Sequence, residues 1–246
     1  MRDRGASICG KTVHDRNARH TPERTAGQII IQDTSSLYTV AEERLHALSH
    51  GSGIVLSIAG LWWMLGLSIG AADLWRIVAS SIYGASLIAL FLTSTLYHGL
   101  HDSPHRQLFK LLDHSAIYLL IAGTTTPFLL VSMRTSTGWW LFGIMWVLAT
   151  LGIAVKFWHG HRFPRLSLAS YLLMGWLMVV ATPQLSDEIG ANGMTWLIAG
   201  GLCYSVGAVF YMRKQMYLHH VIWHAFVLAG AACHFLAVAW YVLPVA

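Results

Sequence analysis

Two histidines four residues apart, His220 and His224, open a stretch otherwise written for lipid that runs on to Cys233 and His234. On a helix, positions i and i+4 stack on one face with Cβ atoms roughly 6 Å apart. That separation suits two ligands of one metal ion. Ionisable side chains inside a membrane span are costly, so they point to function and to a partner elsewhere in the chain. Further candidates repeat the spacing: Ser94 with His98, and Glu42, His46 and His50 at i, i+4 and i+8. Asp113 and His114 form an adjacent acid and base.

The elements that hold these residues must be membrane helices. The chain of 246 residues is 55% hydrophobic and 11% charged, with mean hydropathy +0.54. A soluble domain carries about 25% charged residues, so this chain has to bury its surface in lipid. The net charge of +5 does not imply nucleic acid, because the basic residues sit in the gaps between apolar runs. The three cysteines, Cys9, Cys203 and Cys233, share no CxxC spacing and specify neither a disulfide framework nor a thiolate metal site.

Residues 1–38 read as a polar cytoplasmic tail without the apolar core of a signal peptide. Residues 39–246 read as the membrane domain. Thr39 and Glu42 have the spacing of a capping box. Leu37, Val40, Ala41, Leu45 and Leu48 form a stripe that predicts an amphipathic lead-in at the interface. Apolar runs then predict spans at about 46–70, 76–98, 113–132, 138–158, 166–184, 194–212 and 218–243, each long enough for about 30 Å of hydrocarbon. Pro127 follows three threonines inside the third span and predicts a kink, with the hydroxyls relieving freed carbonyls. The expected fold is an all-α, seven-transmembrane helix bundle. With the N-terminus cytoplasmic and the C-terminus outside, every Lys and Arg except Arg76 and Arg134 falls inside, fourteen of sixteen.

That topology sets depth. His98 lies about 33 Å along the second span from Arg76, near the inner face. Asp113 enters the third span from inside, and His220 and His224 enter the seventh from inside. Three imidazoles with an open fourth position make a catalytic zinc site in its commonest form, and the trio is His98, His220 and His224. Water on such an ion has a pKa of about 7. Asp113 then orients that water or acts as general base, or it only caps the third helix. Ser94 hydrogen-bonds the water or a developing oxyanion, or only packs helices. His46 and His50 are interfacial or belong to the same polar face. His219 turns about 100° away from His220, toward the interface. His234, about 21 Å up the helix, reads as a buried, hydrogen-bonded histidine. Haem between opposed histidines is an alternative that an absorption spectrum would settle, and imidazoles accept several transition metals.

At these residues the chain resembles the hemolysin III family, within the wider progestin and adipoQ receptor family. The matching stretches are EERLHALSHGSG (42–53), STLYH (94–98), KLLDHSAIYLLIAGTTTPF (110–128) and HVIWHAFVLAGAACHF (220–235). The resemblance implies a cytoplasmic-side zinc site with His98, His220 and His224 as ligands and Ser94 and Asp113 beside the metal-bound water. Similarity to receptor-type relatives and alkaline ceramidases implies hydrolysis of a lipid amide or ester, with membrane lipid as partner and no nucleic acid. His46 stands where the family more often shows asparagine. The tail is long for a compact bacterial member. The expected protein is thus a multi-pass protein of a bacterial inner or plasma membrane and a Zn2+-dependent hydrolase. The alternatives are a sensor with structural zinc, closed by a fourth ligand such as His50 or Asp113, and a lytic pore.

Overall fold

The computed structural model describes residues 38–244. The expected tail lies outside them apart from Tyr38, as do Cys9 and Leu37. Among the described residues every element is helical. The order is α1 (Val40–Gly70), α2 (Leu74–Gly99), α3 (Arg106–Pro127), α4 (Ser136–His159), α5 (Pro164–Trp176), α6 (Thr182–Met212) and α7 (His219–Ala237). π-helical turns, Phe128–Ser132 and Val238–Val242, extend α3 and α7, and a 3-10 turn, Leu177–Ala181, joins α5 to α6. Among the described residues, six helical segments are long and apolar enough to cross a membrane, and one of them, Pro164–Met212, is 49 residues long. The protein is a multi-pass membrane protein, with helices as its elements throughout the described residues.

α1 begins where the sequence places it. The Thr39 hydroxyl accepts from the Glu42 amide at 3.2 Å, and the Glu42 carboxylate accepts from the Thr39 amide at 2.8 Å, which closes the capping box. The stretch expected as a lead-in forms the first turns of this helix. The helix runs unbroken into the apolar stretch, and Val40, Leu45 and Leu48 lie on its exposed face. The buried stripe is instead Glu43, His46, His50, Gly53, Ser57, Gly60, Met64 and Ser68, spaced by three and four. In lipid the apolar side faces out, and small or polar residues mark the helix contacts. Gly53 lies against the Phe91 ring and Gly60 against Phe235, where a Cβ would stand 2.6 and 2.9 Å from the rings. These glycines set the approach of α1 to α2 and α7.

Past Pro127 the helix loosens into its π-helical turn. The Thr125 and Thr126 hydroxyls both donate to the Ala122 carbonyl, at 2.9 and 2.8 Å. The carbonyl that proline leaves without its i→i−4 donor is Gly123, so the threonines brace the turn beside the one expected. At this end of the bundle Arg134 pairs with Asp73, and Arg76 donates to the Leu243 carbonyl at 3.0 Å. Partial burial works to raise the Asp73 carboxyl, but Arg134 and the Trp75 amide hold it below its ordinary value.

The 49-residue segment is broken inside α6. Gly190 has φ 63° and ψ 177°, a conformation open to glycine and strained for other residues. The expected spans 166–184 and 194–212 fall on either side of it. Beyond the break α6 packs on α7 with Gly200 against the His234 ring, where a Cβ would lie at 2.2 Å. His234 is buried and its Nε2 meets the Leu197 carbonyl at 3.0 Å, as expected of a hydrogen-bonded core histidine. α7 starts from Leu218, held in the left-handed region at φ 56°.

Candidate metal centre

The start of α7 and the end of α2 bring His98, His220 and His224 together, with one donor atom of each within 4.8 Å of the others. His98 and His224 are almost fully buried. His98 Nδ1 lies 2.6 Å from the Glu43 carboxylate. A carboxylate only accepts, so Nδ1 carries the proton and Nε2 presents its lone pair. The Ser49 hydroxyl donates to the His46 carbonyl at 2.8 Å and lies 3.0 Å from His224 Nδ1. Its one proton is spent on that carbonyl, so His224 Nδ1–H donates to it and His224 Nε2 is also free.

The free Nε2 of His98 faces His220 Nε2 at 3.2 Å. Two imidazole nitrogens bound to one tetrahedral zinc at about 2.0–2.1 Å lie roughly 3.3 Å apart. The buried Nδ1 of His220 has no hydrogen-bond partner. Lone pairs turned inward and Nδ1–H groups held by a carboxylate and a hydroxyl are the outer arrangement that metal-binding histidines use. The donor set therefore fits a divalent metal with an affinity for imidazole.

A second row runs alongside. His50 stacks on His224 with ring centroids 3.6 Å apart and planes within 9°. Its Nδ1 is 2.7 Å from Ser94 Oγ, and Asp113 of α3 neighbours that hydroxyl. His46 sits among the ligand candidates, its ring 4.7 Å from both His98 and His220. Its nitrogens group with Glu43 and His98 rather than with the three inward-facing donors. A groove of about 440 Å³, lined by Arg44, Ala47, Leu48, His98, Gly99 and His101, opens between α1 and α2 beside the cluster.

Residues 38–235 match the family model described as haemolysin-III related. The chain belongs to this family. It is 44% identical to Hemolysin-3 of Bacillus cereus over 207 residues, which is 84% of this chain and 94% of the relative. It is 41% identical to the Hemolysin-3 homolog of Bacillus subtilis over 209 residues, 85% of this chain and 98% of the relative. It is more distantly similar to the human monocyte to macrophage differentiation factor, 29% identical over 210 residues, 81% of this chain and 84% of the relative.

In this haemolysin-III-related chain the structure groups His98, His220 and His224 and places Ser94, bonded to His50, and its neighbour Asp113 beside them. Three further residues escaped the sequence reading. Glu43 holds His98 and is itself paired with Arg106 of α3, and Ser49 holds His224. The acid on the first helix is Glu43, not Glu42, which is spent on the cap. A register counted back from His46 in steps of three and four lands on Glu43 and would have found it. Neither His46 nor His50 is interfacial, since both are buried. His219 is buried too, 5.8 Å from the Tyr38 ring, rather than turned to the interface.

Proposed function

We propose that this protein is a zinc-dependent hydrolase of the cell membrane, acting on an amide or ester of a lipid that enters from the bilayer. The observation that carries the reading is the pair of histidines fixed as Nδ1–H tautomers, with Nε2 atoms turned into one point beside a Ser94–Asp113 row. His98, His220 and His224 are the residues that would hold the ion. A Zn2+ so held polarises a carbonyl and brings the pKa of water to about 7. Glu43 keeps His98 in register and Ser49 does the same for His224. Asp113 takes the proton of the attacking water and returns it to the leaving amine or alcohol. Ser94, accepting from His50 Nδ1–H, keeps its own proton to donate to the oxygen on which charge develops. The groove between α1 and α2 gives an acyl chain a lateral way in, with Leu48 on its lipid side and Arg44 at its rim.

The topology proposed with it has seven crossings. Forty-nine residues in Pro164–Met212 would extend about 74 Å as one helix, more than twice the hydrocarbon thickness, and the break at Gly190 divides them. Arg76 and Arg134, the two cations assigned outside, sit at one end with Asp73. This supports a cytoplasmic N-terminus and a metal centre at the inner face. Cysteine labelling at 134 and 162 from opposite sides tests the orientation.

Purified protein in lipid nanodiscs should release fatty acid from at least one member of a broad lipid panel. His220→Ala and Asp113→Asn should each lose that activity by 100-fold or more. No release from any lipid, or a fully active Asp113→Asn, would sink the hydrolase. A second reading, a sensor with a closed structural metal, is favoured by His46, whose buried Nδ1 has no hydrogen-bond partner and whose ring lies against His98 and His220. A four-nitrogen coordination shell that loses one nitrogen in His46→Asn would decide for it. The Bacillus relatives' name brings a lytic reading, and conductance in pure bilayers that survives His98→Ala would decide for that.

A further inference from the structure

Near Asp113, the start of α3 and the end of α4 hold a group of basic residues that the proposed chemistry does not use. Lys156, in the last turn of α4, is only 2% exposed. The charge acting on it is that of another cation, Lys110 on α3. His161, in the turn after α4, feels both lysines, and its buried Nε2 has no hydrogen-bond partner. The His161 ring packs edge-on against His114 at 4.7 Å. The His114 Nδ1–H is committed to the Lys110 carbonyl at 2.8 Å. The acid facing the group is Asp113, 3.7 Å from His114 Nδ1 and within reach of Lys110. Among the described residues, no ion pair joins Lys156 to a carboxylate.

A lysine in the last turn of a helix is favoured by the backbone dipole. That accounts for a cation at this end of α4. It does not account for burying the cation beside a second lysine and an unpartnered histidine, since a buried charge is normally paired. A buried lysine and a buried ring nitrogen without a hydrogen-bond partner, with a second lysine acting on both, make a receptor for an anion with several acceptor oxygens. The level is that of lipid headgroups: Trp158 is 76% exposed and Phe163 45% exposed on either side of the group, as interfacial aromatics are. The metal centre is at the same end, because Arg106, one turn before Lys110, is the residue that pairs with Glu43.

We propose that Lys156 and His161, with Lys110, bind the phosphate of an anionic phospholipid between α3 and α4. This deepens the hydrolase reading and rests on it only for its purpose: a phosphate held here sets an acyl linkage toward Asp113 and Ser94. The site itself is tested by binding, without turnover. The full chain in neutral detergent is titrated with phosphatidylglycerol or phosphatidylcholine, and one-to-one adducts are counted by native mass spectrometry. Phosphatidylglycerol should bind at least tenfold tighter than phosphatidylcholine. Lys156→Met and His161→Gln should each remove most of that difference, while Lys156→Arg keeps it and Arg165→Gln leaves it unchanged. Thermal melts identify any variant that fails to fold, and His161→Gln against Lys156→Arg then decides.

Equal binding of the two lipids, or retention of the preference in both Lys156→Met and His161→Gln, overturns the proposal. Displacement of the lipid by millimolar inorganic phosphate would keep an anion site but refute the lipid as its source. Phosphatidylglycerol bound normally by a protein that hydrolyses nothing would leave this site standing and refute the hydrolase. Turnover of neutral lipid without the preference would do the reverse.

Discussion

Glu43→Gln separates what the outer carboxylate does for the metal from what it does for the fold. Glu43 accepts from His98 Nδ1 at 2.6 Å with one oxygen and pairs with Arg106 through the other. Glutamine keeps the shape but removes the charge, and either end of the amide can turn toward His98. Loss of such an outer partner lowers metal affinity by roughly 10–100-fold, equivalent to about 1.4–2.7 kcal/mol. The same change leaves the buried Arg106 guanidinium without its carboxylate, which costs about 3–5 kcal/mol of stability. The two effects can be told apart. Glu43→Gln with Arg106→Met removes the stranded charge, so the double variant should recover most of the lost stability but none of the lost affinity. Affinity is read by competition with a chromophoric chelator on detergent-purified protein, and stability by thermal melt. Affinity within twofold of the parent in the single variant would refute the assignment of Glu43 as the residue that orients His98. Affinity restored together with stability would mean that the metal effect was only unfolding.

Other consequences follow from particular contacts. Gly200→Ala puts a methyl 2.2 Å from the His234 ring and should cost about 1–3 kcal/mol by overpacking; a melt unchanged from the parent would contradict the α6–α7 packing. Burial, with the charges of Lys110 and Lys156, pushes His161 from 6.5 down to about 4. In neutral detergent the unfolded chain therefore binds a proton there that the fold excludes. Stability should fall as pH drops from 6.5 toward 4 and level off below, and His161→Gln should flatten that limb of the melt-against-pH curve; an unchanged slope would contradict it. Leu218 holds a left-handed conformation at the start of α7, at a cost of order 1 kcal/mol or more that glycine would not bear. Leu218→Gly should raise the melting temperature, and a lower one would mean that the side chain's packing outweighs the strain.

The sequence made the helices legible because membrane spans announce themselves by length and hydropathy, and the cap at Thr39 by its spacing. His98, His220 and His224 could be grouped because the charge asymmetry assigns the end of one segment and the start of another to the same side, and the structure brings the three together. The face of α1 was misread for a physical reason. Val40, Leu45 and Leu48 form an apolar stripe that would face the core in water, but in this bundle they face out, while Glu43, His46, His50 and Gly53 face in. That inversion hid Glu43 and made His46 and His50 look interfacial. Arg106 and Ser49 were illegible because their roles depend on contacts across 63 and 175 residues, which spacing along one helix cannot express. Gly190 falls where a loop is expected, between the runs 166–184 and 194–212; what spacing could not show is that helix resumes on both sides and the break narrows to one positive φ.

The central claim is that three histidines from two distant segments make one metal centre. Elemental analysis of protein purified without added metal tests it most directly. The account predicts close to one zinc per chain in the parent, and less than a tenth of that in a folded His220→Ala variant. A parent protein without stoichiometric metal, or a His220→Ala variant that keeps its full complement, would contradict it.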